Sequence, residues 1–307
     1  MKFFSFLKIN RFLVTVAIIV LVMTGYMLLA RPYQLNWGAT DQEVKQSMPG
    51  DQLSPNPEFF ATRAITITGS PEEIWPWLLQ MGYGRAGYYG FDILENLGSS
   101  KGIRSADRIL PEFQQFKVGD EVPISSVAHM VFFAIEPNRY IIWTGTNHQG
   151  SFIWALYPVD QSHTRLVSRI RWSFHWTQPR LLALDLFTEF TDHIAVREIL
   201  QGVKGRVENK IEPMVQQNTE FAVYVVAALI FFVTLLLTLI RPLTWRRWLA
   251  GFGGGLAWLI IWYAPVSMWI RVGFCLLVIL GLHIVFRQTS PPKTTSQSRV
   301  DHNPSSG

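Results

Sequence analysis

The sequence predicts an α+β domain, a curved antiparallel sheet around a long C-terminal helix, with one transmembrane α-helix before it and three after. Three stretches carry this expectation. In residues 61–82, ATRAITITGSPEEIWPWLLQMG, β-branched and small residues alternate up to Thr68 and a capped helix follows. Residues 121–174 hold five strand-like runs broken by turn residues. Val196, Leu200, Val203, Val207 and Ile211 then recur at helical spacing.

Taken in order, residues 12–30 are uncharged and long enough to cross a bilayer at about 1.5 Å per residue. Lys2, Lys8 and Arg11 precede them. A small-x-small cleavage pattern is missing, so the reading is an uncleaved anchor over 1–30. The domain proper spans 31–219. Its lead-in, rich in Pro, Gly and Asn, holds a little helix at 40–46. Ser70 is placed to cap the opening helix, with Pro71 at its first position and Glu73 completing a capping box. Pro76 is expected to bend that helix. A second short helix is read at 88–97 and strands at 121–125, 130–135, 140–144, 151–157 and 164–174, with hairpin turns at Asn138, Gly150 and 160–163. Pro179 opens a helical region in two pieces, broken near Thr191 or Asp192.

Apolar runs at 221–240, 248–264 and 266–286 make up a three-helix membrane region over 220–287, and a Ser/Thr/Pro-rich disordered tail occupies 288–307. Arg271 inside the last run is read as reaching toward the interface. Arg241, Arg246, Arg247, Arg287, Lys293 and Arg299 fall on the same side as the N-terminal cations, which places both termini in the cytoplasm and the domain on the outer, periplasmic or extracellular, side.

Composition excludes several classes. Of 27 Lys/Arg and 22 Asp/Glu, 17 and 20 lie within 31–219, so the excess of positive charge belongs to the membrane flanks and marks no nucleic-acid surface. A single cysteine, Cys275, leaves no disulfide framework and no thiolate metal site. His129, His148, His163, His175 and His193 show no metal-ligand spacing, so neither metal nor cofactor is expected.

The order strand, two short helices, five-stranded meander and long helix resembles the START-like helix-grip superfamily (SRPBCC), which includes polyketide cyclases and lipid-transfer domains. The resemblance is to a membrane-attached bacterial subgroup and covers about 35–208. It rests on WGAT at 37–40, MPGD at 48–51, PEEIWPW at 71–77, GRAG at 84–87, SADR at 105–108, VGD at 118–120, and Arg197, Gly202 and Lys204. It implies a cavity for a hydrophobic ligand and brings no catalytic set.

Candidate ligand-binding residues are Arg85, Tyr88, Tyr89 and Asp92, grouped beside glycines where a cavity mouth is expected, and Trp143, Phe152, Trp154, Trp172 and Phe174 along its wall. An Arg85–Asp92 ion pair and a packed aromatic core are the plainer readings of the same residues. Arg165, Arg169 and Arg171 share one strand face, read as a solvated convex surface. The function these features suggest is a membrane-tethered domain that binds a lipid or other apolar small molecule, without nucleic acid. A cyclase or dehydratase working through Arg85, Tyr88 and Asp92 stands beside it, as does a structural or sensory subunit.

Overall fold

The computed structural model describes residues 20–21, 24–95, 104–173, 182–240 and 266–287. By its internal contacts the chain divides into two compact units, Met1–Asn218 and Thr219–Gly307.

In the first unit, a π-turn at Tyr26–Ala30 runs into the short helix α1, Arg31–Leu35. Helix α2, Asp41–Lys45, is held by a capping box between Thr40 and Glu43. Strand β1, Phe59–Thr68, leads through a second capping box, Ser70 with Glu73, into α3, Pro71–Gln80. Helix α3 continues through Pro76, its sixth residue, whose missing N–H removes the one backbone bond to the Glu72 carbonyl. The second short helix, α4, covers only Asp92–Glu95, and Tyr88 and Tyr89 precede it in a loop.

Strands β2 (Glu121–Pro123), β3 (His129–Glu136), β4 (Tyr140–Gly145), β5 (Ser151–Pro158) and β6 (His163–Trp172) form the meander. The sheet order is β1-β6-β5-β4-β3-β2. The first strand therefore closes on the last, from Phe59 opposite Trp172 to Thr68 opposite His163. Helix α5, Leu182–Val207, is continuous. The break expected near Thr191 or Asp192 is absent: Thr191 Oγ1 donates to Thr188 O within the helix and half-buried Asp192 pairs with Arg63 of β1.

The two faces of the sheet divide the packing by the period of two. Ile67, Phe132, Ile141, Trp143, Trp154, Leu156 and Leu166 meet Ile74, Trp77 and Leu78 of α3 and Val196, Ile199, Leu200 and Val203 of α5. Ala64, Ile142, Ile153, Ala155 and Val167 face the other way, beneath Met48 and Leu53 of the lead-in. Gly202 sets how closely α5 approaches, since a Cβ there would sit 1.9 Å from the Tyr89 carbonyl oxygen. The first unit is thus an α+β, helix-grip-like domain.

In the second unit, α6 (Met214–Ile240, entering from the first unit) and α7 (Met268–Arg287) overlap two expected spans. Among the described residues no helix is long and apolar enough to cross a membrane. The expected span at 248–264, most of that at 12–30 and the tail at 288–307 lie outside the described residues. Arg271 is paired within this unit. It is buried, with Nη1 donating to Glu220 Oε1 at 2.8 Å, and Tyr224 Oη donates to the same oxygen at 2.7 Å.

Candidate functional site

Arg85 is presented by a tight turn. Gly82 and Gly87 exchange backbone hydrogen bonds of 3.1 and 3.2 Å, and Arg85 N donates to Gly82 O at 3.1 Å. Gly84 and Gly87 take positive φ of 69° and 73°, which the turn needs and glycine adopts without strain. Tyr83 N and Tyr88 Oη both donate to Pro123 O, fixing the loop on β2. The Arg85 side chain then runs inward. Its guanidinium carbon lies 3.8 Å from the centre of the Phe116 ring, 5.4 Å from Phe113 and 5.9 Å from Phe132. Nη2 donates to Leu79 O at 2.5 Å, whereas buried Nε and Nη1 meet no acceptor. Burial pushes its pKa down to about 10, against the pull of Tyr88, Tyr89 and Asp120.

From Phe132 a row of rings continues along the helix-side face. Phe116 stacks on Phe132 at 5.2 Å and Trp143 meets Phe132 edge-on at 6.4 Å. Trp154 lies 5.9 Å from Trp143, and Phe152 lies 5.8 and 4.8 Å from the two indoles. Trp143 and Trp154 are fully buried, and neither indole N–H finds an acceptor among the described residues. The structure thus brings Trp143, Phe152 and Trp154 together with Arg85. Trp172 is partly buried at the end of the sheet, where Gly145 and Gly150 pass close to its ring. Phe174 lies outside the described residues.

The expected grouping of Arg85 with Tyr88, Tyr89 and Asp92 does not form. Tyr89 is buried, its hydroxyl on Trp77 O at 2.9 Å and its ring 4.3 Å from the Arg206 guanidinium. Asp92 Oδ1 accepts from Ser105 N and Oγ at 3.0 and 2.6 Å, so the expected Arg85–Asp92 pair is replaced by this cap on the 105–108 loop. The three groups nominated for acid–base work point to three different partners.

The convex arginines are not solvated. The lead-in covers them, and Arg169 is 1% exposed. Arg169 donates to Thr62, Asp51 and the Gln46, Glu43 and Val44 carbonyls, and Arg165 grips both Glu43 oxygens at 2.6 and 2.9 Å. Arg171 takes the Ser54 and Pro55 carbonyls. This explains MPGD at 48–51: Asp51 caps its own turn through Met48 N while it pairs with Arg169.

A polar layer on α5 escaped the sequence reading. Glu189 takes the Arg31 fork at 2.8 Å twice, and Asp192 pairs with Arg63 at 2.7 Å. Arg63 and His193 both reach the Gln34 carbonyl, at 2.8 and 3.0 Å. A carbonyl only accepts, so His193 Nδ1 carries the proton. Burial and the nearby Arg63 and Arg197 push the imidazole down to about 2. The signal was present as Asp185, Glu189, Asp192, His193 and Arg197, spaced by three and four.

Two hollows lie on the first unit. One of about 310 Å³ opens beside Thr40, Glu43, Tyr157, Val159 and Arg165. The other, about 20 Å³, lies beside Asp92, Arg104 and Arg206. Neither lies between the sheet and α5, where side chains of the described residues fill the space. Among the described residues no cluster of His, Cys, Asp and Glu is arranged to hold a metal.

No protein-family model matches the chain, and no curated protein matches it. Solved structures do resemble it. A polyketide-cyclase-like protein of Corynebacterium glutamicum is 13% identical, over 50% of this chain and 93% of its own, with a TM-score of 0.31. The Aha1 protein of Colwellia psychrerythraea is 16% identical over 50% and 99%, with 0.29. A Thermus thermophilus protein is 11% identical over 50% and 100%, with 0.30.

Proposed function

We propose that the chain is a membrane-tethered helix-grip domain that takes up a lipid or another apolar small molecule between its sheet and α5. The observation that carries this reading is the ring row, in which Trp143 and Trp154 are wholly buried with unmet indole N–H groups. An unmet buried donor costs about 1–3 kcal/mol, which an apolar guest with one accepting atom offsets. A structural or sensory subunit is the second reading, favoured by the filled interior among the described residues.

The tether rests on separate support. Glu220 and Arg271 meet at 2.8 Å, so the chain between them leaves and returns to one level, as two crossings require. Apolar side chains Leu28, Leu29, Leu184 and Phe187 stand 59–76% exposed on the first unit, as a lipid-facing edge would have them.

The test is native mass spectrometry of the full chain in detergent, for apolar molecules retained or taken up, with Trp143→Phe and Trp154→Phe beside the wild type. Phenylalanine keeps one aromatic ring and removes the N–H, so stability should fall by less than the about 3–5 kcal/mol of a truncation to alanine while retention weakens. Trp154→Ala is a poorer probe, because emptying this packed site costs about 3–5 kcal/mol. A chain that neither retains nor takes up any apolar molecule overturns the reading in favour of the structural one.

A further inference from the structure

Helix α5 sorts its side chains in two opposite ways. Beyond Ile194 the sorting is that of a domain in water, with Val196, Ile199, Leu200 and Val203 buried against the sheet. Between Leu184 and His193 it is reversed. Asp185 and Glu189 are 5% and 0% exposed, whereas Leu184 and Phe187 stand 59% and 62% exposed. Glu189 faces Arg31, Asp192 pairs with Arg63, and His193 donates to the Gln34 carbonyl. The segment that supplies these partners is sorted in the same sense. Tyr26 Oη donates to buried Gln34 Oε1 at 3.0 Å, while Leu28 and Leu29 are exposed.

A surface helix in water turns its charges outward and its apolar stripe inward. Charges that face inward and pair, beneath apolar side chains that face out, are the sorting that hydrocarbon surroundings impose. The hydroxyls on this half of α5 agree with it. Thr188 Oγ1 donates to Leu184 O at 2.9 Å and Thr191 Oγ1 to Thr188 O at 3.0 Å, so both are satisfied by their own helix and need no water. Within 184–191 no charged residue is exposed. Leu28 and Leu29 also close the uncharged run of residues 12–30, so a segment of membrane-spanning length leads into this region. Tyr33, 40% exposed and edge-on to His193, stands where the sorting changes, as tyrosines do at a membrane–water interface.

Resting on the membrane tether of the reading above, and independent of what the domain binds, we propose that the first half of α5 is itself a membrane-contacting surface. Leu184 and Phe187 lie against lipid acyl chains, with Tyr33 at the level of the headgroups. The occupant of this face is the bilayer, and the domain sits partly sunk in it rather than hanging from a span.

The experiment reconstitutes the full chain in dioleoylphosphatidylcholine vesicles doped with a phosphatidylcholine that carries a diazirine in its acyl chain, and maps the photolabel by mass spectrometry. On the wild type, the peptide holding Leu184 and Phe187 should be labelled as heavily as the one holding Leu276 of α7. The β2–β3 turn at Val127, 88% exposed, should escape. Label at Leu276, with 184–187 marked no more than Val127, overturns this inference and leaves the tether standing. No label above that of Val127 at either place overturns both. In a Cys275→Ser background, nitroxides on Leu184→Cys and Phe187→Cys should meet oxygen more often than a water-soluble nickel chelate, with the order reversed on Val127→Cys. Nitroxides shielded from both and broadened by one another would put a second copy of the chain on this face, and that result also overturns the inference. The wild-type labelling decides even if the variants fail to fold.

Discussion

His193 is where burial changes a side chain's chemistry most. Its Nδ1–H is used by the Gln34 carbonyl, its ring stacks edge-on to Tyr33 at 6.1 Å, and the nearby Arg63 and Arg197 disfavour a second proton. The folded pKa of about 2 lies far below the ordinary 6.5, so between those values the unfolded chain binds a proton that the folded chain refuses. Stability therefore falls as pH drops below about 6.5, with a slope approaching 1.4 kcal/mol per pH unit from this group. Asp192 acts oppositely, because burial raises its carboxyl against the pull of Arg63. Denaturant melts at pH 7 and pH 5 should show the loss in the wild type and a shallower one in His193→Gln. Equal slopes would mean that His193 is protonated in the folded chain. The arginines teach the complementary lesson. Arg165, Arg169 and Arg171 were legible as one face of a strand, but alternation cannot tell a face turned to water from one covered by a lead-in more than a hundred residues earlier.

At the scale of elements, the C-terminal end of α5 and Glu208 just beyond it are held by polar contacts with β1 and the 105–108 loop as well as by the apolar stripe of α5. Lys204 Nζ donates to Thr66 O at 2.7 Å, Arg206 Nε to Ala106 O at 2.7 Å, and Glu208 Oε1 accepts from Thr68 N at 2.9 Å. Gly202 lets the helix backbone touch the Tyr89 loop, so Gly202→Ala must push loop and helix apart. The expected cost is about 1–3 kcal/mol, with loosening of the Arg85 turn next to it. A melting temperature unchanged by Gly202→Ala would contradict that close approach. Capping signals made the start of α3 readable from sequence, because a capping box is local: Ser70, Pro71 and Glu73 do their work within four residues. The break expected in α5 failed for the opposite reason. The partners of its polar residues, Arg31, Gln34 and Arg63, lie on other elements.

For the whole molecule, the proposed topology has both termini in the cytoplasm and the helix-grip-like domain outside. Reporter fusions after Gly119 and after Pro291 should give opposite answers, and cytoplasmic activity at both positions would remove the outward-facing domain. In that proposed topology the starts of α6 and α7, joined by the Glu220–Arg271 pair at 2.8 Å, share one membrane face. The strands along the chain, the capped start of α3 and the position of the apolar runs were all legible in local patterns: a period of two, a period near 3.6, and uncharged length. Those patterns depend on neighbours in sequence and so survive without a tertiary fold. What only the tertiary structure decided was which charges meet. Asp92 turns to Ser105, Arg169 to Asp51 and Arg63 to Asp192, and among the described residues Arg85 lies against phenylalanines with no carboxylate partner. Ion pairing depends on distance in space, and closing β1 onto β6 brings together groups that are 100 to 130 residues apart along the chain, an approach no local periodicity encodes.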